Sequence, residues 1–127
     1  MKKIFFLICI LALSSLVQAS SSHLKKYQAM NDKVFINIGA DWCLPCKFYK
    51  KKIFETQAFK KYAEAEKVLY VELDYADDDA KAILKDYKRS GIPFYLYLNK
   101  SQPKVVNRAT DWREMFANIK SVIQTSQ

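Results

Sequence analysis

The sequence predicts an α/β domain, a three-layer sandwich whose central mixed sheet has about four strands flanked by about four helices. Three observations predict it. Short apolar, β-rich runs recur at residues 34–38, 68–73 and 94–98. Longer stretches with apolar residues at helical spacing lie before, between and after them. Finally, residues 94–98 and 104–107 are joined by Asn99-Lys100-Ser101-Gln102-Pro103, a turn-rich link short enough for an antiparallel hairpin. At 127 residues, half of them hydrophobic, the chain holds one domain with one core, and only 2 Gly and 3 Pro argue against long irregular segments.

The first residues read as a leader rather than as fold. Met1-Lys2-Lys3 is basic, residues 4–13 are apolar, and Val17-Gln18-Ala19 puts compact residues at the positions a signal peptidase reads. We expect residues 1–19 to be a cleaved signal peptide and residues 20–127 to be the working domain. An uncleaved membrane anchor is the alternative, but the apolar run falls short of the ~20 residues a comfortable span needs. Cys9 would leave with the leader. So would Lys2 and Lys3, taking the formal charge from +8 to +6. Such a surface is a soluble basic face or one drawn to acidic partners or an anionic membrane. No nucleic-acid motif is present.

The elements follow in order. A first helix is expected near residues 22–31, capped by Ser21 or Ser22, with Leu24, Tyr27, Ala29 and Met30 at helical spacing and His23 in solvent. Val34-Phe35-Ile36-Asn37-Ile38 is a buried strand. A helix from Cys43 toward Phe54 buries Cys46, Tyr49 and Ile53, with Phe48 alongside, and carries Lys47, Lys50, Lys51 and Lys52; a break near Glu55 precedes a new cap at Thr56 and a helix to about Glu66. The strand at 68–73 leads through the acidic residues 74–79, which lack calcium-loop spacing, into a helix over 78–87 whose first turn favours acids. After the hairpin, Thr110 or Asp111 caps a last helix with Trp112, Met115, Phe116 and Ile119 on one face.

The chemistry concentrates at Cys43-Leu44-Pro45-Cys46. A strand feeding a helix through Cys-x-x-Cys sets Cys43 at the helix N-terminus, where free N–H groups and the helix dipole favour a thiolate. Cys46 lies one turn on, within reach, so the pair can close and open a disulfide with little backbone movement. A structural zinc site needs four ligands, and only Cys9 and His23 remain. A c-type haem site needs His where Lys47 stands. A purely structural disulfide closing so small a loop removes little entropy from the unfolded chain. Redox chemistry is the expected role, with no cofactor and no metal.

Trp42-Cys43-Leu44-Pro45-Cys46-Lys47 resembles the active-site motif of the thioredoxin superfamily, and Gly91-Ile92-Pro93 before the run 94–98 resembles its second signature. The resemblance covers most of residues 33–122. Residues 40–43 and 48–59 are most similar to the C-terminal periplasmic domain of the disulfide interchange protein DsbD and its stand-alone relatives. The resemblance implies a thioredoxin-like fold and a cis peptide before Pro93, which faces the dithiol. It implies catalytic roles for Cys43 (attacking) and Cys46 (resolving), with Trp42, Pro45, Ile92 and Pro93 shaping the substrate groove. The family's buried acid is Asn37 here, and the acid one turn after the second cysteine is Lys50. Neither helper is present, and the lysines lead us to expect a lower Cys43 pKa and a more oxidising couple than in thioredoxin; the opposite reading is that they point to solvent and are screened, leaving the helix N-terminus to dominate. Phe94, where thioredoxins carry Thr, either widens the apolar rim or packs the core.

These readings converge on an exported, periplasmic or otherwise extracytoplasmic thiol–disulfide oxidoreductase. It would act as a monomer on protein thiols or disulfides of the cell envelope, in the reductase direction, with a membrane electron donor or acceptor. A thioredoxin-like adaptor or a copper(I)-binding module without turnover is the alternative.

Overall fold

A computed structural model describes residues 22–100 and 102–126. The leader and its cleavage site lie outside the described residues. The elements are α1 (Ser22–Met30), β1 (Val34–Gly39), α2 (Leu44–Tyr49, running on into a π-helical turn over Lys50–Phe54), α3 (Gln57–Ala65), β2 (Leu69–Asp74), α4 (Asp78–Asp86), β3 (Phe94–Leu98), β4 (Lys104–Val105) and α5 (Trp112–Thr125). As expected, the chain breaks at Glu55 and Thr56 caps α3 by accepting the Phe59 N–H at 3.2 Å, so that five helices are described.

The sheet has the order β2-β1-β3-β4. β1 pairs in parallel with β2, Asn37 opposite Glu72, and antiparallel with β3. β3 and β4 form the expected hairpin, but β4 is two residues long, not four. Beyond it the Val106 N–H still reaches the Tyr95 carbonyl at 3.1 Å, and the Asn107 carbonyl then accepts from Asn118 on α5.

Strand alternation builds the three layers. From β1 and β3, Phe35, Tyr95 and Tyr97 face α2, α3 and α5 and pack with Tyr49, Ile53, Phe54, Phe59, Met115, Ile119 and Ile123. Val34, Ile36, Ile38, Phe94, Leu96 and Leu98 point the other way, onto Leu24, Tyr27, Ala80, Ile83 and Leu84 of α1 and α4. Phe94 is therefore a core residue. Asn37 shares the Phe35 face, so the one buried polar side chain of β1 looks toward α2.

With so few glycines, the left-handed positions that end α3 and α4 fall to Lys67 (φ 57°) and Lys88 (φ 52°). Each is held by the paired hydrogen bonds of a Schellman closure: Val68 N–H to Ala63 C=O with Lys67 N–H to Glu64 C=O, and the equivalent pair at Arg89 and Lys88.

α1 differs from expectation. Leu24 and Tyr27 are buried, but Met30 stands in solvent, and His23 sits against Asp86 with Nε2 2.9 Å from Oδ2. The cause is that α1 docks on α4, where Tyr27 Oη and Lys26 Nζ both donate to Asp79. Those two bonds, Lys26 first, hold the Asp79 carboxyl below its ordinary range. A depressed folded-state value gives stability that is present above the unfolded pKa, about 3.9, and lost as pH falls through the folded value. We therefore expect Asp79→Asn to unfold at lower denaturant than the parent at neutral pH, the difference closing under strong acid. Paired denaturant melts at the two pH values measure it.

Candidate redox site

Gly39 ends β1, and the turn after it returns the Cys43 N–H to the Ala40 carbonyl at 3.1 Å. Cys43 then adopts an extended conformation (φ −90°, ψ 108°) and caps α2. Its Sγ accepts the Cys46 N–H at 3.2 Å, so an otherwise unpaired donor of the first turn is aimed at sulfur. Leu44 and Pro45 fill the first two helical positions, where proline removes a donor that has no helical partner anyway. Cys43 and Cys46 are joined in a disulfide, their Cα atoms 5.3 Å apart.

Exposure does not separate the two cysteines, at 6% and 8%. Their surroundings do. Cys43 lines a groove of about 510 Å³ with Trp42, Leu44, Pro45, Tyr75 and Ile92. Trp42 and Leu44 are 71% and 77% exposed, so the rim of this groove offers apolar surface to a partner. Trp42 is steadied edge-on by Tyr75, ring centres 5.9 Å apart. The Ile92–Pro93 peptide is cis, and it brings the Ile92 carbonyl oxygen to 4.0 Å from Cys43 Sγ. Trp42, Cys43, Pro45 and Ile92 thus meet in one groove. Pro93 is buried and lines a neighbouring groove of about 490 Å³ that shares Pro45 and Ile92 and continues to Tyr49 and Glu114. The Arg108 guanidinium donates to the Pro93 carbonyl at 2.9 Å and braces this turn; nothing local in the sequence points to it.

Cys46 faces inward, on a cavity of about 320 Å³ that also holds Asn37, Lys47, Lys50 and Glu72. Here the sequence reading needs correction. Lys50 is not a free charge beside the dithiol, because its ammonium pairs with Glu72 at 3.1 Å. That bond raises the Lys50 pKa. An acid is present after all, supplied by β2 rather than by β1 or α2. Glu72 also accepts from Tyr70 Oη at 2.8 Å, and Tyr70 in turn accepts from Asn37 Nδ2 at 2.8 Å. Burial pushes the Tyr70 hydroxyl far above the ordinary tyrosine range, so it stays a donor. Counting pairs along two parallel strands was the one signal for Glu72: Val34 opposite Leu69 puts Asn37 opposite Glu72.

A disulfide at the start of a helix, beside a peptide carbonyl of a facing turn, defines a protein built for thiol–disulfide redox chemistry. The chain belongs to the thioredoxin-like family, whose model matches residues 15–100. Among solved structures it is similar to a thioredoxin from Thermus thermophilus, at 16% identity over 82% of this chain and 81% of that one, with a TM-score of 0.59. Mitochondrial thioredoxin 3 from Saccharomyces cerevisiae in its oxidised form matches at 22% identity over 77% and 89%, TM-score 0.51. The reduced Schistosoma mansoni thioredoxin matches at 20% over 79% and 90%, TM-score 0.55. At these identities the likeness concerns the fold alone. No curated protein matches the sequence.

Proposed function

We propose that this protein is an exported thiol–disulfide oxidoreductase that delivers electrons to protein disulfides of the cell envelope and is itself recharged by a membrane donor. The observation that carries the reading is Cys43 at the cap of α2, in an apolar-rimmed groove with the Ile92 carbonyl at its side. Cys43 as thiolate attacks a partner disulfide and forms a mixed disulfide. Cys46 then attacks Cys43, releases the partner thiol and leaves the enzyme oxidised. An extended partner chain laid in the groove finds backbone groups at Ile92, where Pro93 offers no competing N–H. Export rests on the basic, apolar and small-residue pattern of residues 1–19. The reductase direction rests on the likeness of residues 40–43 and 48–59 to the DsbD end domain.

The reduction potential of Cys43–Cys46, from equilibration with thiol buffers, tests the direction. We expect a value nearer thioredoxin's, about −270 mV, than that of a strong oxidant, about −120 mV. The second value would make the protein a disulfide donor. A pair that does not exchange with thiols at all would move the reading to the adaptor or copper(I)-binding module.

A further inference from the structure

The cavity behind Cys46 contains one polar atom without a protein partner. Asn37 is 7% exposed, its Nδ2 is spent on Tyr70, and its Oδ1 has no hydrogen bond among the described residues. That oxygen lies beside Gly39, as does Cys46. A Cβ placed on Gly39 would lie 3.4 Å from Cys46 Sγ and 3.9 Å from Asn37 Oδ1, so the two atoms border the same gap.

The direction of the hydrogen-bond chain is set at its far end. Glu72, ion-paired with Lys50, is an acceptor only. Tyr70 has a single hydroxyl proton, and at 2.8 Å from the carboxylate it must be given to Glu72. The Tyr70 oxygen is then an acceptor toward Asn37 and takes the amide N–H. The Asn37 carbonyl is thereby left toward Cys46. The opposite amide orientation would set Asn37 Oδ1 and a carboxylate oxygen competing for one proton. We infer that Glu72 is a positioning residue for Cys46: acting through Tyr70, it holds the Asn37 carbonyl where it accepts a hydrogen bond from the Cys46 thiol once the disulfide is open.

This inference rests on the thiol–disulfide reading above. When a partner thiolate attacks Cys43 Sγ, the Cys43–Cys46 bond breaks and Cys46 leaves as a thiolate. It takes a proton from water and becomes the donor that Asn37 Oδ1 lacks. In the opposite direction Cys46 must return that proton to water before it attacks Cys43 and expels the partner thiolate. A hydrogen bond to the neutral form disfavours ionisation, so the chain raises the Cys46 pKa and slows resolution. The uncharged amide does this without a buried acid. The other charged groups on this cavity are Lys47 and Lys50 from α2 and its π-helical turn, Asp41 from the preceding turn, Asp74 at the end of β2 and Asp77 at the cap of α4. None of them belongs to the chain except Lys50, which anchors Glu72.

The test is the Cys46 pKa in the reduced full-length protein, read from the Cβ resonance of labelled cysteine and assigned by its loss in Cys46→Ala. Two near-isosteric variants are compared with the parent. In Glu72→Gln the side-chain amide can donate to Tyr70, the chain reverses, and the Asn37 N–H turns toward the Cys46 thiolate. In Tyr70→Phe the chain is cut while the Glu72 charge stays. We expect both to lower the Cys46 pKa by about one unit, a tenfold rise in thiolate at a given pH. Glu72→Asp, still an acceptor only, should stay close to the parent. A shift in Glu72→Gln alone would mean that the charge acts through space and would overturn the inference. So would a shift in Tyr70→Phe alone, or in neither. The pKa is read whether or not the protein turns over, so failure of the exchange reading, seen as a parent disulfide inert to thiol buffers, is a separate result.

Discussion

Replacing Cys46 with alanine is expected to give a protein that captures partners through Cys43 and does not release them. The expectation rests on the proposed roles, Cys43 attacking and Cys46 resolving. Cys43 opens on the groove edged by Trp42, Leu44 and Ile92, whereas Cys46 looks into the polar cavity behind β1. A partner sulfur would then reach Cys43 first, and among the described residues only Cys46 stands within bonding distance to displace it. Without Cys46 the mixed disulfide waits for an external thiol. Turnover against a disulfide substrate should fall by more than about 10³-fold, as when the nucleophile of a covalent mechanism is lost. Non-reducing gels and intact mass should show the added partner, and Cys43→Ala should add none. Equal trapping by Cys43→Ala would reverse the assignment of the two sulfurs.

Phe35→Ala is expected to be the most damaging single change outside the dithiol. Phe35 is fully buried on β1, a strand paired on both sides. Its ring lies 5.8 Å from Phe54, 6.4 Å from Phe59, 6.3 Å from Tyr70 and 5.9 Å from Tyr95. These four rings come from four different elements, so no small local shift closes the hole that alanine leaves. Truncating a buried Phe costs about 3–5 kcal/mol, a large part of the roughly 5–15 kcal/mol a domain of this kind has in all. Urea unfolding should show the midpoint falling with the slope unchanged. A loss under about 1 kcal/mol would mean that the aromatic cluster repacks and is not the keystone described here.

The parts of the molecule legible in the sequence are those governed by nearest neighbours. The apolar run at 34–38 bounded by Gly39 makes β1 readable, and Thr56 and Asp111 are readable as caps because capping acts over three residues. Cys43 and Cys46 are legible because strand, turn and helix start follow one another directly. What is not legible is set by register between distant segments. Lys50 looks like one of four surface lysines until β2 slides alongside β1 and delivers Glu72 to it. His23 looks solvated until α1 docks on α4 and brings Asp86 near. Arg108 has no local pattern at all, and its role depends on where the hairpin folds back over the turn at Pro93.

The π-helical turn over Lys50–Phe54 carries one more implication. Its closing bond runs from Glu55 N–H to the Lys50 carbonyl at 2.8 Å, one residue wider than an α-helical bond. The turn holds one residue more than the α-helix would. In regular α-helical winding an extra residue would carry everything after it about 100° around the axis; the wide turn absorbs it instead. Ile53 and Phe54 therefore stay buried while Lys51 and Lys52 stand in solvent. The run Lys50-Lys51-Lys52 is thus the place where this helix takes up length. Removing one exposed lysine there should close the turn to an α-helical one and leave Ile53 and Phe54 seated.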